Sequence, residues 1–330
     1  MTPSAPLPAR PAWLTWTVRT AAAAGLVVVV WACTTGWGAV VHGHPAYAVV
    51  LGLTVVGCAL VLWRSLRPRA LRTGWRRVLD VALVVAGVGW VAAMAWFRPF
   101  TAVEPALAAM ASDAGVRVTE SATRVELTPA EGADGTAVFF QPGAKVEARA
   151  YAAVLRPLAE AGHTVVIAKQ PLGIAFLATG AFDDARAAHP EAERWVVGGH
   201  SLGGVVASSE ADDADPGTSG DDGAPVVGLL LHASYPAGDV STTLTAAVLS
   251  VSGSEDGLST PEKIDASRAD LPADATFTEV RGAVHAYFAD YGPQPGDGTP
   301  TMSHDDARAQ ISAATVEFVA DLAADSGQQD

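Results

Sequence analysis

The first third of the chain contains three long stretches of apolar residues with almost no charge among them. They cover residues 20–41, 46–63 and 78–97, and Asp80 is the one charged residue within them. A helix of about 20 residues rises 1.5 Å per residue and so spans the roughly 30 Å hydrocarbon layer of a bilayer. The pattern therefore predicts three transmembrane helices at these positions, in a membrane domain of residues 1–97.

A cleaved signal peptide is the alternative explanation for the first stretch. The triplet Ala46-Tyr47-Ala48 has the small-x-small form of a cleavage site. However, the first stretch is longer than the apolar core of a typical signal peptide, and two further apolar stretches follow it at once. We therefore expect the segment to be retained as a membrane span.

From about residue 117 the pattern changes to short β-branched runs separated by stretches with apolar residues about 3.6 positions apart. The first kind predicts strands and the second predicts helices. Strands are predicted at 116–118, 124–127, 137–140, 165–168, 195–198, 226–231, 247–251 and 276–280, and helices at 146–161, 183–189, 202–209, 261–268 and 305–322. This alternation predicts an α/β domain over residues 98–330, built on a doubly wound, mostly parallel sheet.

Charge divides the chain near the same place. Residues 1–97 hold eight Arg and one acid, a net charge of +7, whereas residues 98–330 have a net charge of −21; together they give the −14 of the whole chain. A field this negative repels phosphate, which argues against a nucleic-acid partner.

The distribution of arginine predicts the orientation in the membrane. Two Arg precede or begin the first span, and the other six lie between the second and third spans, at Arg64, Arg67, Arg69, Arg72, Arg76 and Arg77. Short loops rich in Arg stay on the cytoplasmic side. We therefore expect a multi-pass protein of the cell membrane, with a cytoplasmic N-terminus and with residues 98–330 outside the cytoplasm.

Two groups of residues raise the question of a metal, and neither has the pattern of a metal site. The acidic stretch 211–225 lacks the bidentate acid that a calcium loop carries at its twelfth position, and its composition predicts a solvated loop. His42 and His44 share a short turn without a third ligand. We therefore predict no metal.

The segment WVVGGHSLGG, residues 195–204, carries the clearest chemical signal. It places Gly199-x-Ser201-x-Gly203 between a predicted strand and a predicted helix, where a tight turn leaves the flanking positions no room for side chains. A plain glycine-rich turn is the alternative, and the strand before and helix after the motif disfavour it. Ser201 is thus predicted to be a nucleophile at the carboxyl end of the sheet.

A nucleophilic serine needs a histidine as base and an acid that orients the histidine. After a turn of this kind, the acid and then the histidine follow the serine along the chain, each in the loop after a later strand. Asp256 follows the strand 247–251, with Glu255 as its rival, and His285 follows the strand 276–280. The sequence therefore predicts a triad of Ser201, Asp256 and His285.

An oxyanion formed on the substrate also needs N–H donors. One is expected from Leu202, directly after the nucleophile, and the other from the loop after the strand 137–140. Within that loop we favour the backbone N–H of Ala144, with Gly143 or Lys145 as alternatives.

Residues from about 137 to 322 resemble the α/β-hydrolase superfamily, and within it a small bacterial, dienelactone-hydrolase-like branch. The matching segments are FFQPGAKV, VVIAKQPL, WVVGGHSLGG, LLLHASYPAG, SGSEDGLSTPEKI, GAVHAYF and YGPQPGDGT. The resemblance implies the α/β-hydrolase fold, Ser201 as nucleophile, Asp256 as acid, His285 as base and no cofactor; it implies no particular substrate. Ala144 is a departure, since a second glycine is expected after Pro-Gly.

These observations lead to the hypothesis of a membrane-anchored serine hydrolase that acts on carboxylic esters, or on amides or thioesters, through an acyl-enzyme. Its substrate would be a small-molecule or lipid-like acyl compound. One alternative is acyl transfer to an alcohol of a lipid or cell-wall glycan. Another is a non-catalytic membrane module that keeps the fold for binding, which would not need all three triad residues.

The sequence leaves the role of Lys169 and of the apolar segment 171–178 open. They follow the predicted strand 165–168. Either they line an acyl pocket, or the first is a surface lysine and the second packs on the core.

Overall fold

The computed structural model describes residues 12–67, 74–215 and 223–326. The chain forms two compact units. The first consists of Met1–Val41 and Pro45–Arg98, and the second of His42–His44 and Pro99–Asp330.

The first unit is helical. Its helices are α1 (Ala12–Thr35), α2 (Trp37–His42), α3 (Pro45–Ser65) and α4 (Trp75–Trp96). Within the described part of the chain, three segments are long and apolar enough to cross a membrane, namely Ala12–Thr35, Pro45–Ser65 and Arg77–Trp96. Within this unit the indole N–H of Trp90 donates to Thr54 Oγ1 at 2.8 Å, which joins α4 to α3.

The predicted span 20–41 is displaced along the chain. The helix begins at Ala12 and ends at Thr35, and Gly36 separates it from α2. Arg19, taken from the sequence as a flanking charge, lies inside α1, because its guanidinium donates to the carbonyl oxygen of Ser65 at 2.9 Å. Of the arginines used to predict orientation, Arg10, Arg69 and Arg72 lie outside the described residues.

The second unit is built on an eight-stranded sheet. Its strands are β1 (Val116–Glu120), β2 (Arg124–Pro129), β3 (Thr136–Gln141), β4 (Thr164–Ala168), β5 (Arg194–His200), β6 (Val226–His232), β7 (Ala247–Gly253) and β8 (Thr276–Val280). Their order across the sheet is β1-β2-β4-β3-β5-β6-β7-β8. β2 is antiparallel to both of its neighbours, and all other pairs are parallel. The predicted α/β class with a mostly parallel sheet is confirmed.

Helices cover this sheet on both faces. They are α5 (Ala106–Ala109), α6 (Ala152–Glu160), α7 (Ala181–Ala188), α8 (Leu202–Asp213), α9 (Pro261–Ala266) and α10 (His304–Ser326). On β3, Val138 and Phe140 belong to one apolar cluster, and Ala137 and Phe139 to the other. Successive side chains of a strand point to opposite faces, so β3 is buried from both sides, as the near-continuous apolar run predicts.

The helix predicted over 146–161 begins later than its periodicity suggests. Residues Ala148–Tyr151 form a 3₁₀ turn, and the α-helix starts at Ala152. Glu147 is held in an extended conformation because its buried carboxylate accepts hydrogen bonds from the hydroxyl of Thr101 and the backbone N–H of Ala102, at 2.8 and 2.9 Å.

The prediction of a solvated loop over 211–225 is wrong for its first part. Helix α8 continues to Asp213, and Asp215 is fully buried. The Asp215 carboxylate accepts hydrogen bonds from the backbone N–H and the hydroxyl of Thr245, at 2.6 and 2.8 Å, which join the end of α8 to the start of β7. Residues 216–222 of this stretch lie outside the described part of the chain.

We expect Asp215→Ala to lower the free energy of unfolding by about 3 kcal/mol, because it removes a buried carboxylate that accepts from Thr245 and leaves the buried N–H of Ala246 without its acceptor. The measurement is urea unfolding of the detergent-solubilised full-length chain, followed by pulse proteolysis. The matched control is Asp239→Ala, since Asp239 accepts the same two kinds of hydrogen bond from Ser241 but is exposed to solvent. An equal loss in the two variants would contradict the role given to the buried carboxylate.

Candidate active site

Ser201 occupies the turn between β5 and α8 in a strained backbone conformation, with φ of 51° and ψ of −124°. A Cβ atom added to Gly203 would overlap the carbonyl oxygens of Gln141 and Pro142, and one added to Gly199 would overlap the backbone of Gly203. The turn therefore packs closely against the end of β3, and positions 199 and 203 on either side of Ser201 have room only for glycine. Non-glycine residues at positive φ cost free energy and cluster at functional sites.

Asp256 and His285 meet where β7 and β8 end. The imidazole Nδ1 of His285 lies 2.8 Å from Oδ2 of Asp256, and both side chains are almost wholly buried. The other carboxylate oxygen of Asp256 accepts the backbone N–H groups of Leu258 and Ser259, each at 2.7 Å. Glu255, the rival acid, is exposed and contacts the hydroxyl of Ser254. The structure thus brings Asp256, and not Glu255, to the imidazole.

The second ring nitrogen of His285 is buried and makes no hydrogen bond to any described residue. With Nδ1–H donated to Asp256, Nε2 of the neutral ring carries a lone pair, which is the form of histidine that can accept a proton. Its expected partner, the hydroxyl of Ser201, is not hydrogen-bonded to it in this structure. The ring of His200, the residue before Ser201, lies 4.6 Å from the His285 ring between centroids, so the turn adjoins the imidazole.

The uncharged side chain of His200 packs against the imidazole of His285. The backbone N–H of Gly143 donates to the phenol oxygen of Tyr151 at 2.8 Å, so the phenol proton is directed to His200 Nδ1, also at 2.8 Å. Burial, with His285 and His232 nearby, holds the pKa of His200 well below its ordinary value. His200 therefore stays neutral and does not oppose a positive charge on His285. The motif analysis assigns His200 no role, although the residue lies within the motif.

In the loop predicted to donate to the oxyanion, the backbone N–H of Ala144 has no hydrogen-bond acceptor among the described residues. Gly143 donates to Tyr151, and Lys145 donates to the carbonyl oxygen of Gly173 at 2.7 Å. Ala144 donates no backbone hydrogen bond among the described residues. Leu202 is the first residue of α8, where N–H groups have no partner within the helix. Of the three donors considered for this loop, the geometry favours Ala144.

A series of hydrogen bonds between buried amide and carboxyl side chains holds the same loop. Gln170 Nε2 donates to the carbonyl oxygen of Pro142 and to Gln141 Oε1, both at 2.9 Å, and Gln141 Nε2 donates to Glu210 Oε1 at 2.9 Å. Burial raises the pKa of Glu210 to about 8; the hydrogen bond from Gln141 opposes the rise, and the charges of Asp183 and Asp213 add to it. Sequence analysis missed Glu210, because it directly precedes the acidic stretch 211–225 and shares its helix with Asp212 and Asp213, so the pattern does not set it apart.

Lys169 is not exposed on the surface, and its ammonium group is already hydrogen-bonded within the protein. Its buried ammonium group lies 2.8 Å from Glu120 Oε1 and 2.6 Å from the carbonyl oxygen of Ser121. In the segment that follows, Ala175 is buried, whereas Phe176 and Leu177 are exposed. Among the residues that the structure describes, no group of three His, Cys, Asp or Glu could hold a metal ion.

This arrangement provides the parts of nucleophilic acyl chemistry at one edge of the sheet. Ser201 lies on a strained turn, the His285 imidazole is oriented by a buried carboxylate, and the backbone N–H groups of Leu202 and Ala144 have no hydrogen-bond partner among the described residues. Each part follows the carboxyl end of a parallel strand, where α/β folds place their ligands.

Comparisons with known proteins agree with this architecture. Residues 137–309 match the sequence profile of a family described as "Alpha/beta hydrolase family". No curated protein matches the chain.

Among solved structures, a monoacylglycerol lipase from Paleococcus ferrophilus is similar, with 16% identity and a TM-score of 0.45 over 62% of this chain and 99% of the lipase. A thermostable esterase from Pseudomonas putida ECU1011 has 17% identity and a TM-score of 0.45 over 66% of this chain and 87% of the esterase. Similarities at this level do not identify an activity.

We expect Glu210→Gln to stabilise the protein increasingly as the pH rises. The folded chain keeps Glu210 protonated up to about pH 8, whereas the unfolded chain ionises it near 4.5, so the folded state loses stability across this interval. A glutamine is neutral at every pH. Urea unfolding at a series of pH values should therefore give similar stabilities below about pH 4.5 and a growing advantage for the variant that levels off above about pH 8. A difference that does not change with pH would contradict the raised pKa.

Proposed function

Because this chain belongs to the alpha/beta hydrolase family, we propose that it hydrolyses carboxylic esters through an acyl-enzyme on Ser201. The observation that carries the proposal is the buried 2.8 Å hydrogen bond between His285 and Asp256, at the sheet edge where the Ser201 turn lies. A binding module would not need an imidazole that is oriented by a buried carboxylate and leaves its second ring nitrogen without a protein partner among the described residues.

In the proposed reaction, the hydroxyl oxygen of Ser201 attacks the ester carbonyl while His285 Nε2 takes the hydroxyl proton. Asp256 holds the ring and stabilises the imidazolium. The N–H groups of Leu202 and Ala144 bind the negative oxygen of the tetrahedral intermediate, and each donor contributes about 3 kcal/mol to lowering the barrier. His285 then protonates the departing alcohol, and a water molecule, deprotonated by the same nitrogen, releases the acid and restores Ser201.

We further propose that the first unit anchors the enzyme in the cell membrane. Three helices of sufficient length and apolarity support three crossings, and the arginines between the second and third of them support a cytoplasmic N-terminus. The hydrolase domain then lies outside the cytoplasm, where small-molecule or lipid-like esters reach it.

The catalytic proposal is tested with a fluorophosphonate probe, which reacts with an activated serine. The full-length protein should be labelled, Ser201→Ala should not, and His285→Ala should lower ester turnover at least ~10³-fold while the fold is retained. Ser208→Ala is the matched control on the same helix, because the Ser208 hydroxyl only donates to the carbonyl oxygen of Val205; it should be labelled normally. Labelling that persists in Ser201→Ala would refute the assignment of the nucleophile.

The orientation is tested with alkaline phosphatase, which is active only outside the cytoplasm. Fused after Asp330, it should be active; fused after Ser65, behind two crossings, it should be inactive. The opposite pair of results would reverse the proposed topology.

A further inference from the structure

The carboxylate of Asp297 joins the loop of the acid to the loop of the base. Its Oδ1 accepts backbone N–H groups from His285 at 3.0 Å, Gly257 at 3.2 Å and Gly298 at 2.8 Å. Its Oδ2 accepts the N–H of Ala286 at 2.8 Å. One side chain thus contacts the backbone of the proposed base itself and that of the residue directly after Asp256.

The backbone around Asp297 is packed against the acid loop without spare room. A Cβ added to Gly257 would lie 2.7 Å from the carbonyl oxygen of Gly296, and one added to Gly298 would overlap the carbonyl oxygen of Glu255. Gly296 itself has a φ of +87°. The glycines flanking Asp297 therefore bring its carboxylate close enough to accept from both loops at once.

The hydrogen bonds of Asp297 join the loops after β7 and β8 beyond the point where the two strands stop pairing. The β7–β8 ladder ends at the pair Gly253 and Val280. Beyond it, backbone bonds run from Ser254 N–H to the carbonyl oxygen of Val280 at 3.2 Å and from Glu255 N–H to that of Ala283 at 3.0 Å. The Asp256–His285 pair lies further out on both loops. There the Asp297 carboxylate connects the two segments, and it also caps the first N–H groups of the 3₁₀ turn His285–Phe288.

We propose that Asp297 is a positioning residue that holds His285 in register with Asp256 and aims its Nε2 at the nucleophile. This inference rests on the proposed function, since it concerns the same triad. Without the carboxylate, four backbone donors lose their acceptor and the two loops can move apart. A displacement of about 1 Å in such a site costs on the order of 100-fold in rate.

The first test measures kcat and KM of the full-length protein in detergent with p-nitrophenyl butyrate. Asp297→Ala should lower kcat about 100-fold and leave KM nearly unchanged, because the carboxylate acts on the base and not on substrate binding. Asp297→Asn keeps one acceptor oxygen and should retain more activity than Asp297→Ala; it also serves if the alanine variant does not fold. Asp113→Asn is the matched control, since Asp113 Oδ1 accepts the N–H groups of Gly115 and Val116 at 2.9 Å in a different loop. It should leave kcat unchanged.

The second test is a double-mutant cycle with His285→Ala. If Asp297 acts through the imidazole, Asp297→Ala should have no further effect on the residual rate once the imidazole is gone. An equal fold-loss in the presence and absence of His285 would overturn the inference, as would an unchanged kcat in a folded Asp297→Ala variant. Fluorophosphonate labelling separates these failures from a failure of the proposed function, because wild-type protein that takes no label at Ser201 refutes the triad itself.

Discussion

The hydrogen bond between Asp256 and His285 constrains a large part of the second unit. Both side chains are removed from water, and a buried carboxylate is stable only when its oxygens are satisfied by donors. One oxygen takes the imidazole N–H and the other takes two backbone N–H groups, so the loop after β7 must wrap around the carboxylate. The loop after β8 must in turn deliver the ring. Gly253 at the end of β7 contributes to this fit, because a Cβ there would overlap the carbonyl oxygen of Ala283.

A second constraint is that burial keeps several polar side chains near the Asp256–His285 pair uncharged. His200 stays uncharged next to the His285 ring, and burial lowers the pKa of His232 to about 3 while its Nε2–H donates to the hydroxyl of Thr315. Glu210 is held protonated through neutral pH. These three groups therefore contribute hydrogen bonds without adding net charge. A positive charge that develops on His285 would interact mainly with the carboxylates of Asp256 and Asp297.

The sequence was most informative where one local pattern decides the structure. Every predicted strand exists, because runs of β-branched and apolar residues favour strands, and those in the centre of the sheet are buried on both faces. The hydrogen bond to His285 involves Asp256, as the order of the strands suggested. Asp215, Lys169 and Asp297 could not be placed in the same way. The hydrogen bonds that give each of them its role reach partners at least eleven residues away, which no local pattern encodes. The displaced start of α1 has a similar origin, since Arg19 is accommodated in the helix by a contact with α3.

Tyr151 links the two segments that would supply the oxyanion donors. Its phenol oxygen receives the N–H of Gly143, one residue before Ala144, and is bonded to His200, two residues before Leu202. We therefore expect the separation of the two proposed donor amides to depend on the position of this one phenol side chain, which belongs to a third segment. A change at Tyr151 would act on both proposed donors at once.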